Sequence, residues 1–386
     1  MSESMLPIIS IVVPTKNRYK YLKHLIALIE GFNDNRIELL VHDNSDDNSE
    51  ILEFLSSKRI VSTVYYHDTD CLSMGENAER GINKAKGEYI CFIGDDDAVC
   101  RNIADCAEWM KSNQIDAVRS LYLNYCWNED KGENGGTAYF DDISFLCRVG
   151  DPIAEMKKVL NDGVPDFKYM AKIYHGIVKK SVLEDVQRHG ECLFPGPTPD
   201  MSGAVSIAFF IKKYVMINIP VVIPGMSRMV GGGVMGKVLS LGEVKFITNS
   251  DIEKWPVDYP PLWATELIWP VCVINALKSV NHAEYISELD KNKLLSRLVI
   301  IHRTYFKEAL HYADNVLLFL FDFMCYFLKE GVIHLYETKI KSKLNGKLLG
   351  KYTVANGFNS IADAENFLMT QIKNFNFERI KIKQSE

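Results

Sequence analysis

Between residues 8 and 125 the chain repeats one alternation: a short apolar run, then a longer stretch with apolar residues along one side only. Ile9-Ser10-Ile11-Val12-Val13-Pro14 is largely β-branched and reads as a buried strand. In Arg18–Phe32 that follows, Leu22, Leu25, Ile26 and Ile29 fall at helical spacing, with Gly31 as the stop. Ile37–Asp43 is a second strand, and the stretch from Asp46 is a helix capped by Asp47 or Asn48. Val61–His67 is a third strand, followed by a short helix over 75–87 ending at Gly87. Tyr89–Gly94 is the fourth strand, Ile103–Asn113 a helix and Asp116–Cys126 a fifth strand. Strand and helix in alternation predict an α/β fold with a mostly parallel sheet flanked by helices.

The pattern dissolves over 128–150. The middle portion, to about residue 262, is mixed: Tyr174–Val186 leads into a helix, Phe194–Asp200 is a proline-rich loop, Met201–Tyr214 is an apolar helix, and strands lie around Val215–Gly225. From Trp263 the periodicity turns helical and stays so. The expected division is therefore 1–262, with halves 8–125 and 126–262, and a helical C-terminal domain over 263–386.

Composition narrows the function classes. The 386 residues are 47% hydrophobic and 24% charged, ordinary for a globular chain, and the net charge of −6 does not suit a nucleic-acid binder. Nine cysteines without any CxxC spacing read as small buried hydrophobes in a reducing compartment. The N-terminus has no basic region followed by an apolar signal core, which points to a cytoplasmic location. The longest apolar run, Val316–Leu328, is too short to span a bilayer and contains Asp322.

Three polar clusters follow three predicted strands: Pro14-Thr15-Lys16-Asn17, Asp43-Asn44-Ser45-Asp46-Asp47 and Asp95-Asp96-Asp97. Each alone is turn chemistry. In a parallel sheet, however, ligands bind beyond the carboxyl ends of the strands, so the three converge on one edge. The aspartate triplet is the sharpest signal. Adjacent anions repel, each close pair costing on the order of several kcal/mol at an effective dielectric of about 20. In an extended segment residues two apart share a face, roughly 6.6 Å apart. Asp95 and Asp97 then point together, Asp96 points away, and two convergent carboxylates suit Mg²⁺ or Mn²⁺. On this reading an asparagine at 97 relieves repulsion and raises stability in the absence of metal.

Taken in order, Ile9–Arg18, Glu38–Asp47 and Gly75–Val99 resemble the nucleotide-sugar-binding half of glycosyltransferase family 2, enzymes of GT-A fold whose bacterial members often act on lipid-linked saccharides. The resemblance covers about 8–125, fades to fragments between 165 and 240 and leaves out the helical C-terminal third. It implies a metal-dependent transferase that moves a sugar, with inversion, from a nucleotide diphosphate sugar, most often a UDP-sugar, to a saccharide or lipid-linked saccharide in surface polysaccharide biosynthesis. Pro14, Thr15 and Asn17 would line the nucleotide pocket, and Asp43 would hydrogen-bond the base, with Asp46 beside it. Asn77 would lie near ribose and diphosphate. Asp95 would touch ribose or metal, Asp96 would count with the nucleotide-binding set, and Asp97 would be the metal ligand of the DxD motif. One departure stands out: a gap-free match puts Gly94 where many members have the first Asp.

Inversion needs a general base for the acceptor hydroxyl. The resemblance puts it at a helix start on the acceptor side, where Asp200 stands, with Glu191 in reserve; the plain alternative for Asp200 is a stabilising helix cap. His175 reads as structural or as lining the acceptor cleft. Arg228 and Lys237 flank a glycine-rich stretch suited to a lid, and Trp263 and Trp269 suit either sugar stacking or the core. The apolar helix from Val316 precedes Lys339, Lys341, Lys343, Lys347 and Lys351. Residues 316–351 are thus a candidate peripheral contact with an anionic membrane, the rival being an interface between copies of the chain. Two further readings compete: a silent nucleotide-sugar-binding scaffold, and a sugar nucleotidyltransferase, which would need glycines after the first strand that Thr15–Leu22 lacks.

Overall fold

The structure is a computed structural model that describes residues 6–128, 135–167, 169–227, 238–244, 247–335, 353–373 and 375–383. Its first stretch follows the sequence pattern closely: β1 (Ile9–Thr15), α1 (Tyr19–Phe32), β2 (Ile37–Asp43), α2 (Ser49–Ser56), β3 (Thr63–His67), α3 (Met74–Lys84), β4 (Tyr89–Phe92), β5 (Ala98–Val99), α4 (Ile103–Ser112) and β6 (Ala117–Tyr122). Two helix ends differ from expectation. Gly31 lies inside α1, which stops at Asn33 in the left-handed conformation, a role asparagine fills at helix C-termini. α3 ends at Lys84, before Gly87, and starts from a Ser73–Glu76 capping box.

The chain continues through β7 (Asn124–Cys126), β8 (Thr137–Phe140), β9 (Leu146–Gly150), α5 (Pro152–Asn161), β10 (Ile177–Lys179), α6 (Lys180–His189), α7 (Pro199–Ala208), β11 (Tyr214–Ile223) and β12 (Gly225–Met226). The main sheet has the order β16-β9-β11-β6-β10-β4-β1-β2-β3, with β16 (Lys381–Lys383) at one edge and β5 pairing with β11. β3, β2, β1, β4, β6 and β11 run parallel; β10 and β9 run against them. β1 and β2 pair in register from Ile9 with Ile37 to Thr15 with Asp43, so both strands deliver their polar ends at one level. Both are buried on their two faces, as strands covered by helices are. On one face Ile11, Val13, Leu39 and Cys91 pack with α1 and α4; on the other Val12, Leu40, Ile90 and Phe92 pack with α3 and α6.

After the pair β13 (Leu239–Ser240) and β14 (Leu262–Trp263), with α8 (Asn249–Glu253) between them, the chain is helical as the periodicity predicts: α9 (Thr265–Ser279), α10 (Lys291–Ile301), α11 (Phe306–Tyr312) and α12 (Val316–Leu335). These helices share a core with α5 and α7 built on Leu267, Val271, Leu294, Leu298 and the fully buried Phe319. The last described stretch leaves them. β15 (Thr353–Ala355) pairs with β8, α13 (Ile361–Gln371) sends Ile361, Ala364 and Leu368 into the first core, and β16 pairs with β9. Glu365, fully buried, fixes α13 by accepting from the Arg101 amide at 3.0 Å and from its Nε and Nη2 at 2.9 and 2.7 Å. Short amphipathic segments do not reveal which core they serve, so the sequence assigned this stretch to the C-terminal helices.

Candidate functional site

The carboxyl ends of β1, β2 and β4 bring the three polar clusters together. Thr15, at the end of β1, is buried, and its hydroxyl donates to Asp95 Oδ2 at 2.7 Å. Pro14, one residue earlier, is paired in register with His42. Asn17 takes a left-handed φ of 57°, a conformation uncommon outside glycine. It exchanges hydrogen bonds with Asp46: its Nδ2 donates to Oδ2 at 3.0 Å, and the Asp46 amide donates to its Oδ1 at 3.2 Å. The two loops are thereby locked together.

Asp43 is fully buried, and its carboxylate is already engaged. Oδ2 accepts from the Tyr19 and Tyr65 hydroxyls, both at 2.6 Å, and Oδ1 accepts from the Ser45 amide at 2.9 Å. Burial, and then the bond to Asp43, pushes both phenols well above their usual range. The expected base contact thus meets a carboxylate that holds two phenols and an amide. Asn77 is similarly occupied: its Oδ1 lies 2.7 Å from His42 Nδ1, and its Nδ2 donates to the Thr15 carbonyl at 3.2 Å, tying α3 to β1 and β2.

The aspartate triplet is a turn, not an extended segment. This corrects the expected alternation, because the chain must reverse between β4 and β5 to pair the latter with β11. Asp95 and Asp96 share one partner, Arg18: Nε lies 3.3 Å from Asp95 Oδ1, and Nη2 lies 2.9 Å from Asp96 Oδ2. Ser227 also donates to Asp96 Oδ2, at 2.5 Å. Asp97 faces elsewhere. Its Oδ2 accepts from the Gly94 amide at 2.7 Å and from the Tyr174 hydroxyl at 3.1 Å, and lies 2.6 Å from His175 Nε2; its Oδ1 accepts from the Gly225 amide at 2.8 Å. A carboxylate only accepts, so the proton sits on His175 Nε2. His175 too has a positive φ, 60°.

Two glycines make this packing feasible. A Cβ on Gly94 would sit 3.1 Å from both Asp96 Oδ1 and Asp97 Oδ2, and one on Gly225 would lie 1.7 Å from the Asp96 carbonyl oxygen. An aspartate at 94 would press a third acid into two others, which accounts for the glycine there.

The three acids respond differently to burial. It pushes the Asp95 carboxyl up to about 7, with Arg18 and Thr15 opposing. It also raises Asp96, helped by the charge of Asp97. Burial acts on Asp97 as well, but the His175 ring and the Gly225 and Gly94 amides outweigh it and hold this carboxyl below the usual range. Tyr174, raised well above its usual range by burial and then by Asp97, Asp96 and Asp200, stands within the field of both the triplet and α7.

Asp200 lies in the first turn of α7, whose N-cap is Thr198. Its Oδ1 accepts from the Thr198 hydroxyl at 2.6 Å and from the Met201 amide at 2.8 Å; its Oδ2 accepts from the Trp269 indole at 3.1 Å. Trp269 is thus beside the candidate base, while Trp263 is buried in the helical core. Glu191 is instead paired with Lys254 at 3.2 Å, and the structure does not bring it to the acidic turn. Arg228 and Lys237 lie outside the described residues. Arg18, Tyr174, Ser227 and the bond from His175 to Asp97 escaped the sequence reading. Only Arg18 carried a signal, as the cation next to the first polar cluster.

A hard divalent ion takes one or two carboxylates and completes its shell with water and phosphate oxygens. Among the described residues no three His, Cys, Asp or Glu side chains converge as a ready cage. Asp95 Oδ1 is nonetheless a buried acceptor without a hydrogen-bond partner, facing only the Arg18 guanidinium at 3.3 Å. The residues fit such an ion through that oxygen once Arg18 shifts aside, and through Asp97 once His175 or Tyr174 gives way.

Residues 10–150 match the family model described as Glycosyl transferase family 2. This stretch belongs to glycosyl transferase family 2. The family 2 domain therefore spans β1 to β9 and contains the whole acidic turn. The chain is 33% identical over 192 residues to the glycosyltransferase GlyG of Streptococcus pneumoniae, an alignment covering 47% of this chain and 60% of GlyG. It is 28% identical over 94 residues to the GalNAc(5)-diNAcBac-PP-undecaprenol beta-1,3-glucosyltransferase of Campylobacter jejuni, covering 24% of this chain and 30% of that one. The matches thus span less than two thirds of either relative. Among solved structures, S. aureus TarS 1-349 in complex with UDP-GlcNAc is similar at 16% identity and a TM-score of 0.44, over 77% of this chain and 74% of that one.

Proposed function

We propose that this chain is a GT-A-type glycosyltransferase that moves a sugar, with inversion, from a nucleotide diphosphate sugar, of UDP type, to a saccharide or lipid-linked saccharide in surface polysaccharide biosynthesis. The observation that carries the reading is the family 2 domain's acidic turn, linked to Asp200 through Tyr174, which donates to Asp97 and feels the charge of Asp200. The curated relatives are named as glycosyltransferases, one with a lipid-linked acceptor. Intact carboxylates at 95–97 and 200 speak against a silent scaffold.

In this mechanism Pro14, Thr15, Asn17 and Asp46 border the nucleotide, and Asp43 and Asn77 hold the strand ends that shape its pocket. Asp96, paired with Arg18, keeps the turn in place. Asp200 takes the proton from the acceptor hydroxyl as that oxygen bonds to the anomeric carbon. The bond to the diphosphate breaks, and its electrons leave with the diphosphate. Asp95 and Asp97 would hold Mn²⁺ or Mg²⁺, which supplies neutralisation of diphosphate charge. A thermal-shift and hydrolysis screen of nucleotide sugars tests the reading. UDP-sugars should stabilise the protein and release UDP in Mn²⁺ but not in EDTA. A protein indifferent to every nucleotide sugar would overturn it.

No helix among the described residues is long and apolar enough to cross a membrane. α12 nevertheless exposes Leu317, Phe321, Met324 and Leu328 at 79, 64, 51 and 60%, a stripe at helical spacing on the side away from Phe319. The lysines from 339 to 351 lie outside the described residues, yet they follow this helix directly in the sequence. We propose that α12 rests on an anionic membrane surface, where each nearby lysine contributes about 1 kcal/mol. Binding to anionic vesicles should weaken steeply as salt rises and fall when Lys339, Lys341 and Lys343 become Gln. A soluble oligomer that ignores vesicles at every salt concentration would make the stripe an interface between copies.

A further inference from the structure

Lys172 precedes β10 and is only 7% exposed. Among the described residues its ammonium has no salt bridge and no hydrogen bond. It is held by two aromatic faces, with Nζ 4.9 Å from the centre of the Tyr122 ring and 4.8 Å from that of Phe167. Such faces orient a cation and offset part of its desolvation, but they do not neutralise it. An ammonium buried to this degree without an anion is a costly arrangement in a folded protein, and sites that keep one generally use it.

Its position suggests the use. The Tyr122 ring lies 5.8 Å from that of His175, whose Nε2 reaches Asp97. The Phe167 ring lies 5.0 Å from that of Trp269, whose indole reaches Asp200. Lys172 is therefore the middle member of a contact chain that runs from the acidic turn to the candidate base. Its neighbours along that chain are rings, and among the described residues no carboxylate lies within salt-bridge distance of it.

We propose that Lys172 is a binding subsite for an oxyanion of the phosphate class, placed between the acidic turn and α7. The anion comes either from the donor's diphosphate or from a phosphate carried by the acceptor. The choice between these sources rests on the glycosyltransferase reading; the unpaired ammonium does not.

The test is calorimetric titration of the full chain and of its Lys172→Met and Lys172→Arg variants. Inorganic pyrophosphate is titrated in EDTA, and UDP and uridine in Mn²⁺. Pyrophosphate should bind the wild type, bind Lys172→Met at least about tenfold more weakly, and regain most of its affinity in Lys172→Arg. A parallel tenfold loss for UDP, with uridine unchanged, assigns the subsite to the donor. Unchanged UDP binding assigns it to the acceptor. Without ligand, Lys172→Met should melt at or above the wild-type temperature, because methionine removes the unpaired charge while keeping the packing. Pyrophosphate that ignores the wild type, or binds Lys172→Met equally well, overturns the proposal; so does a fall in melting temperature with pyrophosphate affinity unaltered, which marks Lys172 as packing alone. If pyrophosphate binding depends on Lys172 but no nucleotide sugar stabilises the wild type, the subsite stands and the glycosyltransferase reading falls.

Discussion

Replacing Asp97 by asparagine should cost this protein both turnover and stability. The carboxylate accepts from backbone amides at each of its oxygens, Gly94 on Oδ2 and Gly225 on Oδ1. An asparagine has one acceptor oxygen and one donor nitrogen, so either rotamer sets its NH₂ against a buried N–H. A buried donor left without its partner costs about 1–3 kcal/mol, and the His175 and Tyr174 contacts weaken with the lost charge. Scanning calorimetry in EDTA should show a fall of several degrees. Sugar transfer should drop at least about 100-fold, the scale of a removed electrostatic contact at a reacting centre. A melting temperature that rises would restore the simpler picture of three repelling acids, and undiminished turnover would remove Asp97 from the reaction altogether.

The second large effect should come from Asp200→Asn. Loss of a general base lowers kcat by roughly 10²–10⁴-fold, while the donor Kd should hardly move if, as proposed, Asp200 serves the acceptor hydroxyl. Stability should change little: an amide oxygen can still accept from Thr198 and Met201, at the expense of the 3.1 Å bond from Trp269. Steady-state kinetics with a donor titration separates the two roles. If donor affinity and melting temperature fall together, Asp200 is a stabilising residue of α7 and the base lies elsewhere.

Much of this site was legible because β1, β2 and β4 are local, strongly patterned strands whose polar ends fall in register. The positions of Thr15, Asn17, Asp46 and Asp95–Asp97 at one edge follow from that pattern and the parallel-sheet rule. What the pattern could not carry were pairings over long separations. Arg18 meets Asp95 and Asp96 across nearly eighty residues, and Ser227 meets Asp96 across 131. The direction of the Asp97 side chain depends on Gly225, which belongs to a different strand connection. Periodicity also misjudged the triplet itself. It treated three residues after a strand as more strand, whereas β5's pairing with β11 forces a turn. Likewise, the ligand contacts of Asp43 and Asn77 come from the resemblance alone, and the sequence pattern carried no sign that Tyr19, Tyr65 and His42 engage both within the fold.

The return of β16 to β9 has a consequence for how the chain is made. The first core draws on residues from Ile9 to Ile380, and β16 pairs with β9, so its sheet cannot be completed until residue 383 has left the ribosome. Until then β9 lacks its outer neighbour, and the surface later covered by Ile361, Leu368 and Phe377 stays wet. Open strand edges and uncovered apolar faces are where growing chains stick to one another. Synthesis is vectorial, yet this sheet closes on residues 381–383; the helices of residues 265–335 are in effect an insertion that the nascent protein must fold around before the first core becomes whole.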